Sequence, residues 1–385
     1  MKQVTVQSFL QQHFMSYQQS HSVPLYQIKA AEQLMKCRTA ALGGHAIYCE
    51  DGHLNGIWYN SCKHRSCPQC CALKSAQWQQ KAESLLLKCQ HHHWVFTLPH
   101  DLHPIWCFNR ALCQRLFFTS VRETLQKLTV DERYLAATPG YILALHTWAR
   151  NQVFHPHIHC VISHGGLDNA GVWHTPKRSL FLPAKILMHI FRGKYLSGLR
   201  KALDADKLVV PTNESAQQEI NLCNKLGRRD WVVYCAKPYE HGHGVAKYLA
   251  RYIRGGAIKN SQLLNDTNNI ILFRYQSHQS KKTEYLKLHY EQFMQRLLSH
   301  FAIPRKQQYQ MLGLYYCRCK NKLNEARAYL GQRDVVSFTA VNWQEFMALN
   351  HHTQFCKKCG KPLTILRKLT GRVGEIERLK KMLID

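Results

Sequence analysis

The sequence predicts an α+β or mixed α/β central domain between two cysteine-bearing ends. Segments with the composition of strands cover residues 93–98, 141–148, 157–163, 231–236 and 270–275. Helices and strands are interspersed, but the strand spacing lacks the regular alternation of βαβ units. Cysteines cluster before residue 72 and again after residue 316.

Helices are predicted where strong helix formers predominate. The expected helices cover residues 1–36, 72–90, 105–128, 184–203 and 284–301. One more helix is expected at Val245–Tyr252, between glycine breakers at Gly242 to Gly244 and at Gly255-Gly256.

The charge balance indicates a polyanionic partner. The chain has 52 Lys and Arg against 24 Asp and Glu, a formal net charge of +28. Nucleic acid is the first expectation, and an anionic membrane surface is the second. The absence of a long uncharged apolar run disfavours membrane binding. The chain has 16 cysteines and 24 histidines; no secretion signal is visible, so those that cluster are interpreted as metal ligands in a reducing compartment.

The first cysteine cluster predicts zinc binding, because Cys67-Pro-Gln-Cys70 forms a turn that holds two thiolates. The expected first site consists of Cys49, His53, Cys67 and Cys70. A second site would draw on Cys37, His45, Cys62 and His64; alternatively, only four of these residues bind metal and the others do not. Cys71 is expected to take no part.

The second cluster combines Cys317-x-Cys319 with Cys356-x-x-Cys359-Gly360. This arrangement resembles a zinc ribbon with a long insertion, although the Cys-x-Cys half is less usual for zinc. The remaining cysteines are interpreted as small buried residues.

A histidine pair predicts a second kind of metal site. His157 and His159 are two residues apart on a predicted strand and therefore point to the same side. An ion held by imidazoles, Mg²⁺ or Mn²⁺, would keep positions open for phosphate oxygens. A third ligand is needed, and the candidates are His146, Glu240, His241 and His243, with His155 as a ligand or a supporting partner. Taken alone, a His-x-His pair also fits core or surface histidines.

Two tyrosines supply a candidate nucleophile. Tyr248 and Tyr252 are four residues apart on the predicted helix and share a face. A tyrosine that attacks a metal-polarised phosphate would make the protein a DNA-strand nickase. The alternative is that these tyrosines are core or interface residues and that the basic residues around them form a solvated helix face. The candidate phosphate contacts are Lys237, Lys247, Arg251 and Arg254.

Together these residues resemble the rolling-circle transposases of the insertion-sequence-91 family, which belong to the HUH endonuclease superfamily. The resemblance covers nearly the whole chain. It rests on Leu42-Gly-Gly-His45, Tyr59-Asn-Ser-Cys62-Lys-His-Arg-Ser-Cys67-Pro-Gln-Cys70, Trp94-Val-Phe-Thr-Leu-Pro-His100, His155-Pro-His-Ile-His159, Gly165-Gly-Leu167, Tyr248-Leu-Ala-Arg-Tyr252, Glu291-Gln-Phe-Met-Gln-Arg296 and Cys356-x-x-Cys359-Gly360. One departure is Cys49-Glu-Asp-Gly-His53, where the family often has Cys-x-x-Cys-Gly, so His53 replaces that ligand or the ligand is missing.

The resemblance implies a fold and a domain order. The centre would be a mainly antiparallel HUH-nuclease sheet flanked by helices, with His157 and His159 on a central strand. The expected domains are an N-terminal zinc-binding DNA-recognition domain at 1–90, a tyrosine nuclease domain at 91–265, and a C-terminal helical region at 266–385 with a zinc-ribbon-like element.

The resemblance also implies an activity. Tyr248 or Tyr252 would cleave single-stranded DNA at insertion-sequence ends through a 5′-phosphotyrosine, with Mg²⁺ or Mn²⁺ at the histidines and structural Zn²⁺ elsewhere. The protein would be cytoplasmic, bacterial and nucleoid-associated. The alternatives are a plasmid or phage rolling-circle replication initiator, a relaxase, and a non-catalytic zinc-containing DNA-binding protein.

Overall fold

The computed structural model describes residues 3–176, 181–212, 214–240, 244, 246–247, 249, 256–277, 280–335, 339–349, 355–369 and 373–383. Within these residues the strands form three antiparallel sheets, and helices flank them. The α+β class with a central antiparallel sheet is therefore confirmed. No helix of the described part has both the length and the apolar composition needed to cross a membrane.

The described helices are α1 (Val6–Ser20), α2 (Leu25–Met35), α3 (Ala72–Leu85), α4 (His103–Phe108), α5 (Arg110–Thr129), α6 (Ala184–Asp204), α7 (Ala216–Gly227), α8 (Tyr290–Ser299), α9 (Lys320–Tyr329), α10 (Trp343–Leu349) and α11 (Val373–Lys381). The strands are β1 (Gly44–Cys49), β2 (Leu54–Tyr59), β3 (His91–Thr97), β4 (Thr138–Trp148), β5 (Phe154–Leu167), β6 (Trp173–His174), β7 (Val233–Tyr239), β8 (Leu263–Thr267), β9 (Ile270–Gln276), β10 (Thr283–His289), β11 (Tyr309–Gly313) and β12 (Leu363–Leu369).

The central sheet has the strand order β11-β4-β5-β3-β7, with β6 paired to β5. Side chains alternate between its two faces, as in any strand. On one face, Leu143 and Ile158 belong to the same buried cluster as Phe117 of α5 and Phe191 of α6. Two long amphipathic helices therefore cover this face.

Residues of α3 and α9 pack on the opposite face of the central sheet. Ile142 and Val161 pack in a second buried cluster with Trp78 of α3 and Leu323 of α9. The helical residues Ala246 and Leu249 are fully buried in the same cluster. These two residues, which follow β7 in sequence, therefore pack on this second face.

The N-terminal helices pack on residues between 258 and 301. Phe9 of α1 meets Phe293 of α8 edge to face, with ring centroids 4.8 Å apart. Thr5 and Ser8 close a capping box that starts α1. The small sheet β10-β9-β8 contributes Phe273 to the same core. The domain boundaries at residues 90 and 265 stay a prediction, and this core contains residues from both sides of them.

A third sheet, ordered β12-β1-β2, joins the cysteine-rich N-terminal hairpin to the C-terminal strand. Gly44 to Cys49 pair antiparallel with residues 363–369. Ile376 of α11 packs with Ala46 and Leu369 on one face of this sheet. The N-terminal hairpin therefore needs the C-terminus to complete its sheet and its core.

Three predicted helices differ from the structure. The helix expected at 1–36 is divided into α1 and α2, and the one expected at 105–128 is divided between α4 and α5 at Asn109. The helix expected at 284–301 begins at Tyr290, and residues 283–289 form β10 instead. In Thr283–His289 the burial alternates along the strand, and the backbone pairs with β9. This period of two is typical of a half-buried strand and outweighs the helix propensity of Glu, Leu and Lys.

Gly313 ends β11 opposite Gly140 of β4 and has a φ of +59°. A Cβ there would collide with the carbonyl oxygen of Pro139. Gly331 has nearly the same φ, +64°, with nothing within 4 Å of its built Cβ. Gly331→Ala should therefore cost only the left-handed backbone penalty of about 1 kcal/mol. Gly313→Ala should cost about 2 kcal/mol more through overpacking.

Urea unfolding of both alanine variants and of the wild type measures this difference. Equal losses of unfolding free energy in the two variants would contradict the placement of Gly313 against β4.

Candidate functional site

Three histidines meet at one end of the second face of the central sheet. His146 of β4 is paired in register with His157 of β5, and His159 follows two residues later. Their ring nitrogens lie within 4.8 Å of one another. The ring centroids of His146 and His159 are 4.4 Å apart. This histidine cluster (His146, His157, His159) therefore brings three nitrogen donors to one point.

Neighbouring groups orient two of these rings. The Nδ1–H of His157 donates to the carbonyl oxygen of His155 at 2.8 Å. Nδ1 of His159 lies 2.8 Å from Nε2 of His93 on β3, so one of these two nitrogens donates to the other. When a metal-binding imidazole donates from one nitrogen, its other nitrogen keeps a lone pair, which is the usual arrangement around a metal-binding histidine.

Burial favours the neutral form of two rings of the cluster. The pKa of His146 and that of His159 are held well below 6.5, first by loss of solvent and then by the neighbouring imidazoles. Burial lowers the pKa of His93 to about 4. Because only a neutral imidazole can ligate a metal, these rings are ready to bind a cation at neutral pH.

Two described residues near the predicted tyrosines, Ala246 and Leu249, pack on the same face of the sheet as the histidines. Lys247 is helical and exposed, while Ala246 and Leu249 on either side of it in sequence are buried against the sheet. Lys237 belongs to β7. Four predicted site residues lie outside the described residues, namely Tyr248, Arg251, Tyr252 and Arg254.

Of the candidate third ligands, the structure brings His146 to the pair. Glu240 is described but belongs to no group of metal-binding geometry, and His241 and His243 lie outside the described residues. His93 is a supporting residue that the sequence analysis missed. The sequence does contain a signal for it: His91 and His93 are two residues apart on a strand, which predicts that both side chains lie on the same face of the sheet.

The first zinc-type group consists of Cys37, Cys62, Cys67 and Cys70. Sγ of Cys62 lies 3.6 Å from Sγ of Cys70, and Sγ of Cys67 lies 3.6 Å from Sγ of Cys37. A tetrahedral zinc ion with Zn–S bonds of about 2.3 Å holds its sulfurs about 3.8 Å apart. This first tetrad therefore fits zinc.

The second tetrad consists of Cys49, His53, Cys356 and Cys359. Sγ of Cys359 lies 3.6 Å from Sγ of Cys49, and Sγ of Cys356 lies 3.7 Å from Nδ1 of His53. This geometry also fits zinc. His53 takes the place of the cysteine that the family often has after Cys49. The predicted sharing of one site by Cys49, His53, Cys67 and Cys70 is therefore wrong.

Strand pairing explains why Cys49 and His53 share a site with Cys356 and Cys359 and not with Cys67 and Cys70. Because β12 pairs with β1, the C-terminal Cys-x-x-Cys turn reaches the tip of the β1–β2 hairpin. Lys361 and Asp51 form an ion pair of 2.6 Å there, and Asn55 donates to Sγ of Cys356 at 3.3 Å. The C-terminal turn is thus half of a zinc-ribbon-like element, but its other half lies over 300 residues earlier in the chain.

Three predicted zinc ligands take other positions. Among the described residues, Cys317, Cys319 and His45 belong to no metal-binding group. Cys317 is exposed, and Cys319 immediately precedes α9 as its N-cap. His45 lies on β1 opposite Trp58. Cys71, expected as a bystander, is likewise in neither tetrad, and nor is His64.

Two family models match the chain. The model described as "Transposase zinc-binding domain" matches residues 9–98, and the one described as "Putative transposase" matches residues 140–322. No solved structure matches the chain significantly.

Two relatives extend the similarity. "Putative transposase y4qJ" of Sinorhizobium fredii is 34% identical over 82% of this chain and 81% of its own length. "Transposase for insertion sequence element IS801" of Pseudomonas savastanoi pv. phaseolicola is 28% identical over 73% of this chain and 67% of its own length. The zinc-binding model and the two tetrads together support zinc as a bound metal.

The two tetrads predict separate losses of zinc. Cys62→Ser and Cys356→Ser should each lower the zinc content by one equivalent relative to the wild type, because each removes one ligand of a different tetrad. Cys317→Ser is the matched control and should keep the wild-type content. Inductively coupled plasma mass spectrometry on the purified full chain measures these values. A full zinc content in Cys356→Ser would contradict the second tetrad.

Buried histidines predict loss of stability in acid. Burial lowers the pKa of His300 from 6.5 to about 4. Between these pH values the unfolded chain binds a proton that the folded chain does not, so stability is full above pH 6.5 and is lost as the pH falls toward 4. His300→Gln should reduce this slope by up to about 1.4 kcal/mol per pH unit. Urea unfolding at several pH values measures it, and identical slopes would contradict the lowered pKa.

Proposed function

The chain belongs to the insertion-sequence-91 family of transposases, enzymes that act on DNA, and from this membership we propose that it cleaves single-stranded DNA by metal-assisted attack of a tyrosine. The observation that carries the proposal is the histidine cluster. It brings three imidazoles together on a face of the sheet that also buries Ala246 and Leu249, which neighbour Tyr248 in sequence.

The residues of the cluster fit a divalent cation. His146, His157 and His159 would hold it, with His93 and His155 orienting two of the rings. The group offers three nitrogen donors and no carboxylate among its described members, which suits a first-row transition ion better than Mg²⁺; Mn²⁺ belongs to that series and also accepts the oxygen of a phosphate. Bound there, the ion would act as a Lewis acid toward a non-bridging oxygen of the scissile phosphate.

The nucleophile is the hydroxyl of Tyr248 or Tyr252. Its oxygen forms a bond to phosphorus while the bond from phosphorus to the 3′ oxygen of the preceding nucleotide breaks. The phenol loses its proton, and the departing 3′ oxygen gains one and becomes a free 3′-OH. The phosphodiester energy is kept in a 5′-phosphotyrosine, so the later rejoining step needs no nucleotide cofactor.

Two tyrosines suit two successive strand transfers, as rolling-circle transposition requires. The second hydroxyl is available for another cleavage while the first is linked to DNA. Lys237, Lys247, Arg251 and Arg254 are the proposed phosphate contacts near the nucleophiles, and the overall charge of +28 supports binding of the strand. The substrate is proposed to be an end of the insertion sequence in single-stranded form.

Labelled oligonucleotides test the mechanism. The full-length protein, kept in its zinc and freed of other divalent ions, is mixed with single-stranded DNA carrying the element end, with or without Mn²⁺. A DNA labelled at its 3′ end should shift to a protein-linked band on a denaturing gel. The same DNA labelled at its 5′ end should release a free shorter fragment. The Tyr248→Phe/Tyr252→Phe variant should lose both products and still bind DNA.

Histidine variants test the proposed ion site. His146→Ala should lower the cleavage rate at least about 100-fold, and His93→Ala about 10- to 100-fold through misorientation of His159. His174→Ala is the control, since His174 lies on β6 in an ion pair with Asp168 outside the cluster. Undiminished cleavage by the double phenylalanine variant would refute the tyrosine mechanism, and wild-type rates in His146→Ala would refute this ion site.

A further inference from the structure

A pocket of about 440 Å³ opens beside the first tetrad, on the N-terminal hairpin. Its lining includes Trp58 of β2, Cys70 of the first tetrad, Leu366 of β12 and Trp343, the first residue of α10. Trp58 and Leu366 lie on the face of this sheet opposite the one that packs Ala46 against α11, because side chains alternate along a strand. The pocket is therefore assembled from both ends of the chain. Below it is called the aromatic pocket.

Two indole rings form its walls. The ring centroids of Trp58 and Trp343 are 5.9 Å apart, and the ring planes are perpendicular. Both side chains are half-buried, so each retains solvent-accessible surface. A flat aromatic guest can stack on one ring while it meets the edge of the other, the two geometries that aromatic pairs prefer.

Three cations surround these rings. Arg38, Lys63 and Lys74 line the pocket and are exposed, and the Arg38 guanidinium lies 5.9 Å from the centre of the Trp343 ring. Within the described part of the chain, none of the three forms an ion pair with a carboxylate, and no acidic residue lines the pocket. The combination of aromatic walls and uncompensated positive charge matches a planar base attached to a phosphate backbone.

The backbone is fixed at two of these residues. Arg38 and Lys63 have φ of +59° and +56°, a left-handed conformation that costs a non-glycine residue about 1–2 kcal/mol. The Arg38 N–H donates to the carbonyl oxygen of Asn60 at 3.1 Å, and the Asn60 side chain donates to the carbonyl oxygen of Leu42 at 2.9 Å. The rim of the pocket is thus preorganised, as ligand sites commonly are.

We propose that the aromatic pocket binds one unstacked nucleobase of single-stranded DNA, with the neighbouring phosphates on Arg38, Lys63 and Lys74. The proposal rests on the proposed single-strand activity. It assigns the zinc-bearing hairpin a role in binding single-stranded DNA. A base in a duplex is paired and stacked and so cannot enter, which makes the pocket selective for single strands. Because Trp343 and Leu366 come from the C-terminal part, the pocket forms only when β12 is paired with β1.

Binding of a 20-nucleotide oligo-dT and of a duplex of equal length tests the pocket. Trp58→Ala and Trp343→Ala should each weaken oligo-dT binding by about 10-fold, the loss expected for one stacked base. Duplex binding should change less than twofold. Tyr285→Ala is the matched control, since Tyr285 is 60% exposed on β10 and does not line the pocket. Zinc content equal to the wild type identifies variants that are folded at the hairpin.

Photo-crosslinking provides a measurement that needs no variant. Oligo-dT with single 5-iododeoxyuridine substitutions is irradiated with the wild-type protein, and the linked peptides are identified by mass spectrometry. Linkage to the peptide containing Trp58 or Trp343 is expected. Linkage only elsewhere, or unchanged oligo-dT binding in both zinc-loaded tryptophan variants, overturns the pocket while leaving tyrosine cleavage intact. Failure of the wild type to cleave any single strand instead overturns the proposed function.

Discussion

The register between β4 and β5 determines which side chains share a face of the central sheet. Pairing of His146 with His157 places three imidazoles on one side, while Leu143, Ile158 and their neighbours pack under α5 and α6 on the other. A slip of one residue would exchange the two faces and would expose a buried apolar row on the histidine side. The hydrophobic core and the candidate ion site are therefore specified by the same pairing.

The two kinds of metal site differ in their donors. In the histidine cluster, burial lowers the pKa of His146 and of His159, which keeps the lone pairs of these rings available. In each tetrad four Cys or His donors converge, and the distances between them match a tetrahedral zinc ion. The histidine cluster supplies three protein donors, whereas each tetrad supplies four.

The C-terminal strand has a larger role than its length suggests. It completes the sheet of the N-terminal hairpin, supplies half of the second tetrad, and contributes one wall of the aromatic pocket. A zinc ion that joins ligands more than 300 residues apart stabilises the fold by closing a very long loop, whose closure entropy is otherwise unfavourable. The zinc-binding region is therefore discontinuous in sequence and extends beyond the segment matched by its family model.

The sequence by itself determined the fold class, the strand that bears His157 and His159, the basic character and the family, because these depend on local patterns and on ordered motifs. It also identified all eight tetrad residues as zinc ligands, although it grouped them wrongly and added His45, Cys317 and Cys319. Only the tertiary structure selected His146 from the candidate third ligands and identified His93 as the neighbour of His159. It also placed Cys49 in one tetrad with Cys356. Those choices depend on which strands pair, and strand pairing between distant segments is decided by the packing of whole faces, which spacing along the chain does not encode.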